Sequence, residues 1–389
     1  MRALALVAVA RLKTAVIGTG FVGPHHVDAV RRTGYADVEV IVGSDPDRTA
    51  QRAAQIGVAR WSTDTDEVLA DGTIDVIHVC TPNNTHVPLA RAALDAGKHV
   101  VLEKPIAVDL PGAEGLVHAA ARSGRHAMVA LTYRGYPMVV RARAAVSDGE
   151  LGDVRLVRGS YIQDWLSDPS DYNWRVDPEV GGRSRAVADI GTHWFDTAEF
   201  VTGLRVESVQ ADLATFIGER TRSLGGSIAF SSGTGPSEPV AIHSEDAATI
   251  LLRFDGGARG ICVVSQVSPG HKNAFNLSVD GSQRSMSWEQ ELPEQLWLYE
   301  RGQSRLLARD PGAAQPGAGV PWLPAGHPEG WAEALRDLLR PFYAAVAAGI
   351  PPDPDTVAYP TFRSGARSIA FVEAVLESAA TASWVALGP

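Results

Sequence analysis

The feature that most constrains this chain is a glycine cluster at a strand-to-helix boundary. Gly18-Thr19-Gly20-Phe21-Val22-Gly23 follows the apolar run at residues 14–17 and opens a helical pattern at residues 24–33. Pro24 stands early in that helix, where its missing N–H costs little. A glycine turn in this place ties a strand to a helix that must pack back on the sheet. The same alternation continues. Strands are expected at 38–42, 75–80 and 99–102, and helices at 45–56 and 87–96, the last stopped by Gly97. Repeated βα units of this length build a doubly wound parallel sheet, so the fold class is α/β.

The rhythm changes near Arg134. A helix at 138–147 leads into a strand at 154–162. From 206 to about 308 the chain reads as strands and turns, clearest at 249–254, 259–264 and 275–279. Asp255-Gly256-Gly257 and Asp280-Gly281 are hairpin signals. Helical spacing returns at 331–347 and 362–378, with Ile369, Val372, Val375 and Leu376 on one stripe. At 389 residues the chain exceeds one comfortable core. Two domains are expected: 12–134, a dinucleotide-binding unit, and 135–389, an α+β unit with a large, mostly antiparallel open sheet, whose terminal helices can pack back on the first. Residues 225–239 read as a long loop, and 311–330 as a Pro/Gly-rich loop with a possible function.

A net charge of −10 argues against a nucleic-acid surface and gives no attraction to anionic membranes. No run is long enough to span a bilayer. Residues 1–11 read as a short N-terminal extension, and the chain is expected to be cytoplasmic. Cys80 and Cys262 lie in apolar runs and read as buried free thiols.

The glycine loop lets the backbone approach a pyrophosphate, and the helix behind it offers unpaired N–H groups and a positive dipole end. Strand two of an NAD site ordinarily ends in an acidic residue for the ribose. Here Gly43 occupies that position, followed by Ser44. A carboxylate there repels a 2′-phosphate, whereas Gly43-Ser44 leaves room and Arg48 is near enough to pair with one. The expected cofactor is NAD or NADP, with a lean to NADP. Two alternatives stand beside this: Asp45 reaches the ribose, or it only caps the following helix.

Three groups point to proton chemistry. Lys104 lies in Glu103-Lys104-Pro105 at the end of the strand at 99–102, where doubly wound sheets place their ligands. Burial and a neighbouring positive charge depress an ammonium's pKa and suit it to proton relay. Glu103 either orients Lys104 or forms a structural ion pair. Asp189 and His193 are four residues apart and share a face if a helix starts there, so the carboxylate can hold the imidazole. Asp196 either orients the same histidine or faces solvent. No metal is expected: the cysteines are remote, and His78, His86 and His99 lack zinc-motif spacing.

These motifs together resemble the glucose–fructose oxidoreductase/inositol dehydrogenase/rhizopine-catabolism (Gfo/Idh/MocA) family, over nearly the whole chain. The matching residues are Gly18 through Gly23, Thr81-Pro82-Asn83-Asn84-Thr85-His86, Glu103-Lys104-Pro105, Tyr133-Arg134 and Asp189 through His193. The resemblance implies a Rossmann domain, a C-terminal domain whose open sheet often mediates oligomers, and an NAD(P)-dependent oxidoreductase of sugars, inositols or related polyols. It places the family's catalytic Lys, Asp and His on Lys104, Asp189 and His193. It implies cofactor contacts at Gly18, Gly20, Phe21, Val22, Gly23, Ser44, Asp45, Arg48, Thr81, Pro82, Asn83, His86, Glu103 and Lys104. It also implies a homo-oligomer, a dimer or tetramer.

Tyr161-Ile162-Gln163-Asp164-Trp165 through Trp174-Arg175, and Gly326-His327-Pro328-Glu329-Gly330-Trp331, resemble the family's sugar-dehydrogenase branch, which includes levoglucosan dehydrogenase and pyranose 3-dehydrogenases. Tyr133, Gln163, Trp165, Arg175, His193 and His327 are the candidate substrate contacts. Gln163, Asp164 and Arg175 suit sugar hydroxyls, and Trp165 suits a sugar ring face. Those tryptophans equally suit the domain interface. The alternatives for function are a redox-assisted glycosidase of the same family, using NAD transiently, and a non-catalytic nucleotide-binding sensor.

Overall fold

The computed structural model describes residues 11–223, 237–311 and 322–388. The first third forms β1 (Leu12–Ile17), α1 (Val22–Thr33), β2 (Ala36–Val42), α2 (Pro46–Ile56), β3 (Arg60–Ser62), α3 (Thr65–Ala70), β4 (Val76–Val79), α4 (His86–Asp95), β5 (His99–Leu102), α5 (Leu110–Ser123) and β6 (Ala127–Val129). The strands lie parallel in the order β3-β2-β1-β4-β5-β6. That order reverses direction between β1 and β4, so a crevice opens beyond their carboxyl ends. Both faces of this sheet are covered, and β1, β4 and β5 are accordingly buried along most of their length. The three-residue strands β3 and β6 are too short to show a pattern in sequence.

The rest of the chain forms α6 (Pro137–Ser147), β7 (Val154–Ile162), α7 (Pro178–Gly181), α8 (Thr192–Thr202), β8 (Val206–Ala214), β9 (Glu219–Ser223), β10 (Ser237–Ala241), β11 (Ala247–Phe254), β12 (Arg259–Ser265), β13 (Ala274–Gly281), β14 (Ser285–Glu289), β15 (Gln295–Glu300), β16 (Gln303–Ala308), α9 (Trp331–Ala347), α10 (Phe362–Thr381) and β17 (Val385–Ala386). Nine of these strands make one sheet, ordered β16-β15-β14-β13-β7-β12-β11-β8-β17. It is antiparallel except where β12 runs parallel to β7.

Along β11 burial alternates: Ala248, Ile250, Leu252 and Phe254 point inward, and Leu251 outward. The inner face packs on α6, α8 and α10. There the Phe195 and Phe371 rings stack with centroids 4.3 Å apart. Buried Trp194 donates Nε1–H to the Asn276 carbonyl at 3.0 Å. Each such side chain contributes about 1.5–3 kcal/mol by leaving water. The outer face is bare at Leu156, Leu251, Trp297, Tyr299 and Leu306.

The terminal helices return to the first sheet, α9 against α1 and α10 against α5. α10 runs three residues past the expected end at 378. Residues 237–239 of the expected loop belong to β10. The readings of residues 1–10, 224–236 and 312–321 lie outside the described residues. Among the described residues, no helix is long and apolar enough to cross a membrane, and no group of His, Cys, Asp and Glu could hold a metal ion.

Candidate active site

The glycine loop sits at the carboxyl end of β1. Gly18 has φ 121°, and a Cβ there would lie 2.3 Å from the Cys80 carbonyl oxygen. A Cβ at Gly23 would lie 2.0 Å from the Gly18 oxygen, so only glycine lets α1 close on the loop. At Gly20 a Cβ would meet nothing within 4 Å. The loop is therefore tight below and open above, which fits a pyrophosphate approaching the backbone at the α1 N-terminus. Phe21 is half exposed at this rim, 6.4 Å from the Trp331 ring; Val22 begins α1.

Beyond β2 the chain turns tightly at Gly43. A Cβ at Gly43 would lie 2.2 Å from Thr49 Oγ1 and 2.8 Å from Thr19 Cγ2. A side chain at this position would run into those threonines, so the turn after β2 requires glycine. Asp45 caps α2, its Oδ1 accepting from Arg48 N at 2.8 Å. Ser44 and Arg48 are exposed beside it.

After β4, Thr81 and Thr85 share a hydroxyl hydrogen bond at 2.6 Å. Pro82 leads into a short turn whose Asn83 is buried, donating Nδ2–H to the Gly181 carbonyl at 3.0 Å. His86 is buried with Nδ1 2.7 Å from the Pro105 carbonyl and Nε2 2.8 Å from the Thr81 carbonyl. Burial pushes its pKa down. Asn83 and His86 thus brace the β4 and β5 turns against neighbouring backbone.

The three groups expected to carry proton chemistry converge. Lys104 Nζ donates to Asp189 Oδ1 at 2.8 Å and to the Asp189 carbonyl at 2.7 Å. Arg175 Nε stands 3.3 Å from the same Oδ1. Gln266, fully buried on the loop after β12, donates Nε2–H to Asp189 Oδ2 at 2.7 Å. Burial alone would raise the Asp189 pKa, but the Lys104 and Arg175 charges hold it well below the usual carboxylate range. Residues 187–191 form a π-turn before α8, and Asp189 lies within it. The wider turn inserts a residue into the helical spacing, and the Asp189 carboxylate is spent on Lys104, Arg175 and Gln266. It makes no hydrogen bond to His193, contrary to the expected orienting role. Asp196 does not serve His193 either: it is buried in a two-pronged pair with Arg134 at 2.8 and 2.5 Å.

His193 Nδ1 is buried with no hydrogen-bond partner. Burial and the Lys104 charge push the imidazole down to about 3, against opposing pulls from Asp189 and Glu103. Its ring rests on Tyr133, centroids 4.9 Å apart. Below it runs a polar chain: Tyr133 Oη donates to Tyr161 Oη at 2.8 Å, and Tyr161 Oη to Asn273 Oδ1 at 2.6 Å. Asn273 Oδ1 also accepts from Gln163 Nε2 at 2.9 Å, and Gln163 Oε1 from Trp165 Nε1 at 2.9 Å. Arg175 lies over the Trp174 ring at 4.4 Å and the Trp165 ring at 5.9 Å.

Asp164 is taken by Lys272 at 2.6 Å and Gly270 N at 3.1 Å. His327 is exposed on the segment before α9, its carbonyl held by Arg309 at 2.7 Å, and it makes no hydrogen bond to Lys104, Asp189 or His193. Glu103 turns away from the Lys104 ammonium: Oε2 accepts from Lys104 N at 3.0 Å, and Oε1 meets His26 Nε2 at 2.9 Å. Gln266 and Asn273 carried no signal in sequence, since each stands in a motif-free segment, and His26, though next to the glycine motif, gave none that tied it to Glu103; only the fold brings them to the site.

Two family models match the chain: "Oxidoreductase family, NAD-binding Rossmann fold" over residues 12–131 and "GFO/IDH/MocA C-terminal domain" over residues 139–287. Levoglucosan dehydrogenase of Pseudarthrobacter phenanthrenivorans is 30% identical over 96% of this chain and 97% of that protein. Myo-inositol 2-dehydrogenase of Thermotoga maritima is 27% identical over 64% of this chain and 67% of its own. A levoglucosan dehydrogenase in complex with NADH and levoglucosan superposes with a TM-score of 0.86 at 27% identity, covering 97% of this chain and 100% of that one. An inositol dehydrogenase homologue complexed with NAD+ from Azotobacter vinelandii gives 0.85 at 30% identity, covering 97% and 98%. With its glycine cradle, its convergent Lys104, Asp189 and His193, and these matches, the chain belongs to the GFO/IDH/MocA family of oxidoreductases with an NAD-binding Rossmann fold.

Proposed function

We propose that the protein is an NAD(P)-dependent dehydrogenase that oxidises a secondary hydroxyl of a sugar, glycoside or inositol, or reduces the corresponding ketone. The observation that carries this reading is the Lys104 ammonium, fixed on Asp189 beside an uncharged imidazole at His193. A bound nicotinamide supplies the acceptor or donor of the hydride. The chain's own residues handle the proton. His193, neutral and with one ring nitrogen unpaired, accepts the hydroxyl proton; Lys104 donates hydrogen bonds to the oxygen as charge develops on it. Asp189 anchors Lys104, and Gln266 and Arg175 anchor Asp189. In the reverse direction the imidazolium returns the proton.

In this reading residues 12–134 hold the dinucleotide at Gly18, Gly20 and Gly23, and residues 135–389 bring the substrate side. Gln163, Trp165 and Arg175 form the polar and aromatic wall suited to a sugar ring. Selection of NADP rests on Gly43, Ser44 and Arg48, which leave the end of β2 without a carboxylate. The bare outer sheet face with Trp297 and Tyr299 supports a homo-oligomer.

Purified protein is to be assayed with NAD+ and NADP+ against levoglucosan, other pyranoses and inositols, following nicotinamide absorbance. Turnover of at least one is expected. None with either cofactor refutes the reading. Release of an aglycone without net reduced cofactor favours the glycosidase, and cofactor binding without any reaction favours the sensor.

A further inference from the structure

The parallel sheet and the helix packed on it carry two imidazoles at positions that should be apolar. His78 interrupts the run of β4, and His26 lies on α1 above it; both are fully buried. Burying an imidazole without partners costs about 1–3 kcal/mol. These two are joined instead into one chain. Glu103 Oε1 meets His26 Nε2 at 2.9 Å, and His26 Nδ1 meets His78 Nδ1 at 2.8 Å. His78 Nε2 meets Tyr343 Oη at 2.7 Å, and Tyr343 Oη meets Thr14 Oγ1 at 2.9 Å. Thr14 and Tyr343 are also fully buried. The chain thus links β1, α9, β4 and α1 to the residue before Lys104.

Its polarity follows from hydrogen-bond chemistry. The Glu103 carboxylate only accepts, so His26 carries a proton on Nε2. Two facing Nδ1 atoms need one proton between them. When that proton sits on His78 Nδ1, His26 Nδ1 accepts, and His78 Nε2 accepts the Tyr343 hydroxyl, which in turn accepts from Thr14. Burial pushes His78 far toward its neutral form. Every donor then points toward Glu103, and bonds aligned in this way strengthen one another. The other Glu103 oxygen holds the Lys104 backbone N–H.

We propose that His26 and His78 are positioning residues of the active site. Through them Thr14 and Tyr343 aim the Glu103 carboxylate, and with it the backbone that presents Lys104. This rests on the dehydrogenase reading only for its effect on turnover; the chain itself is tested separately. Full-length protein with 15N-labelled histidine, bound to NADH, is to be observed by 1H–15N correlation. The expected pattern is one proton on His26 Nε2 and one on His78 Nδ1, with His26 signals displaced in the Tyr343→Phe variant. A proton on His26 Nδ1, a doubly protonated ring at either position, or His26 signals indifferent to Tyr343→Phe overturns the proposal.

Kinetics provide the second arm, with whichever compound of the panel is turned over fastest. Tyr343→Phe removes the hydroxyl's bonds to both His78 and Thr14, and loss of the His78 link alone should lower kcat roughly 2- to 12-fold, with the NADH Kd unchanged. In a Glu103→Gln background the same substitution should lower kcat by less than about twofold, because the group being aimed is gone. Losses that multiply in the double variant overturn the proposal. If Tyr343→Phe does not fold, Thr14→Val repeats both arms from the end of the chain. If nothing in the panel is turned over, the dehydrogenase reading fails, and the NMR arm still decides the chain.

Discussion

Replacing Lys104 by Met removes one charge and keeps most of the stem's volume. The ammonium lies 2.8 Å from Asp189 Oδ1, and both side chains are about six-sevenths buried, at 14% and 16% exposure. At an effective dielectric constant of about 20, unit charges at that separation attract by roughly 6 kcal/mol. Desolvation cancels much of this, and breaking a buried pair generally costs about 3–5 kcal/mol because a charge is stranded. Asp189 is not stranded here: Arg175 at 3.3 Å and Gln266 at 2.7 Å remain on it. The expected stability loss in Lys104→Met is therefore only about 1–2 kcal/mol by urea unfolding. The loss in turnover should be far larger. Removing a donor aimed at a developing oxyanion costs about 10²- to 10³-fold in kcat. Cofactor affinity, followed by fluorescence, should change little, since the glycine cradle is untouched. A kcat reduced by less than about tenfold refutes the role of Lys104. A cofactor Kd weakened as much as kcat falls would move Lys104 from proton chemistry to dinucleotide binding.

Three further outcomes follow from the same geometry. His193 is held to about 3 from an ordinary value near 6.5, so the unfolded chain binds its proton more tightly. Its contribution to stability is full above about pH 6.5 and is lost as pH falls toward 3; His193→Asn should therefore lose up to about 2 kcal/mol less than the parent between pH 6.5 and 5 in urea titrations, and equal slopes would show the imidazole to be solvated. Gln266→Leu strips the one bond on Asp189 Oδ2 while removing an amide oxygen that is itself buried and unpaired. We expect near-neutral stability with kcat reduced about tenfold, and an unchanged kcat would leave Gln266 a packing residue. Gly43→Asp, which would place an acidic residue at the ribose position, should instead destabilise by about 1–3 kcal/mol through contact with Thr49 and be partly rescued by Thr49→Ala; a stable single variant with tightened NAD+ binding would refute the crowding argument.

The parallel sheet was legible because its signals are local. Apolar runs at fixed intervals, a glycine loop and capping aspartates all act within a few residues, so their meaning survives without the rest of the chain. Lys104 was legible for a similar reason: a lysine at the end of a buried strand has one place to be in such a sheet. The pairing around Asp189 was not. Four-residue spacing implied a carboxylate holding His193, yet the π-turn and the competing cations turned Asp189 toward Lys104. The need for glycine at position 43 was not legible either, since Thr19 and Thr49, from other turns of the chain, crowd that position.

By itself the sequence determined the parallel sheet, the large mostly antiparallel sheet that follows it, and the glycine turn at the end of β1. Only the tertiary structure decided which of those groups touch. Gln266 reaches Asp189 from 77 residues away, and Tyr343 reaches His78 from 265. Periodicity is a property of neighbours along the chain, whereas charge pairing and hydrogen bonding act through space. Buried polar groups must find partners wherever the fold brings them.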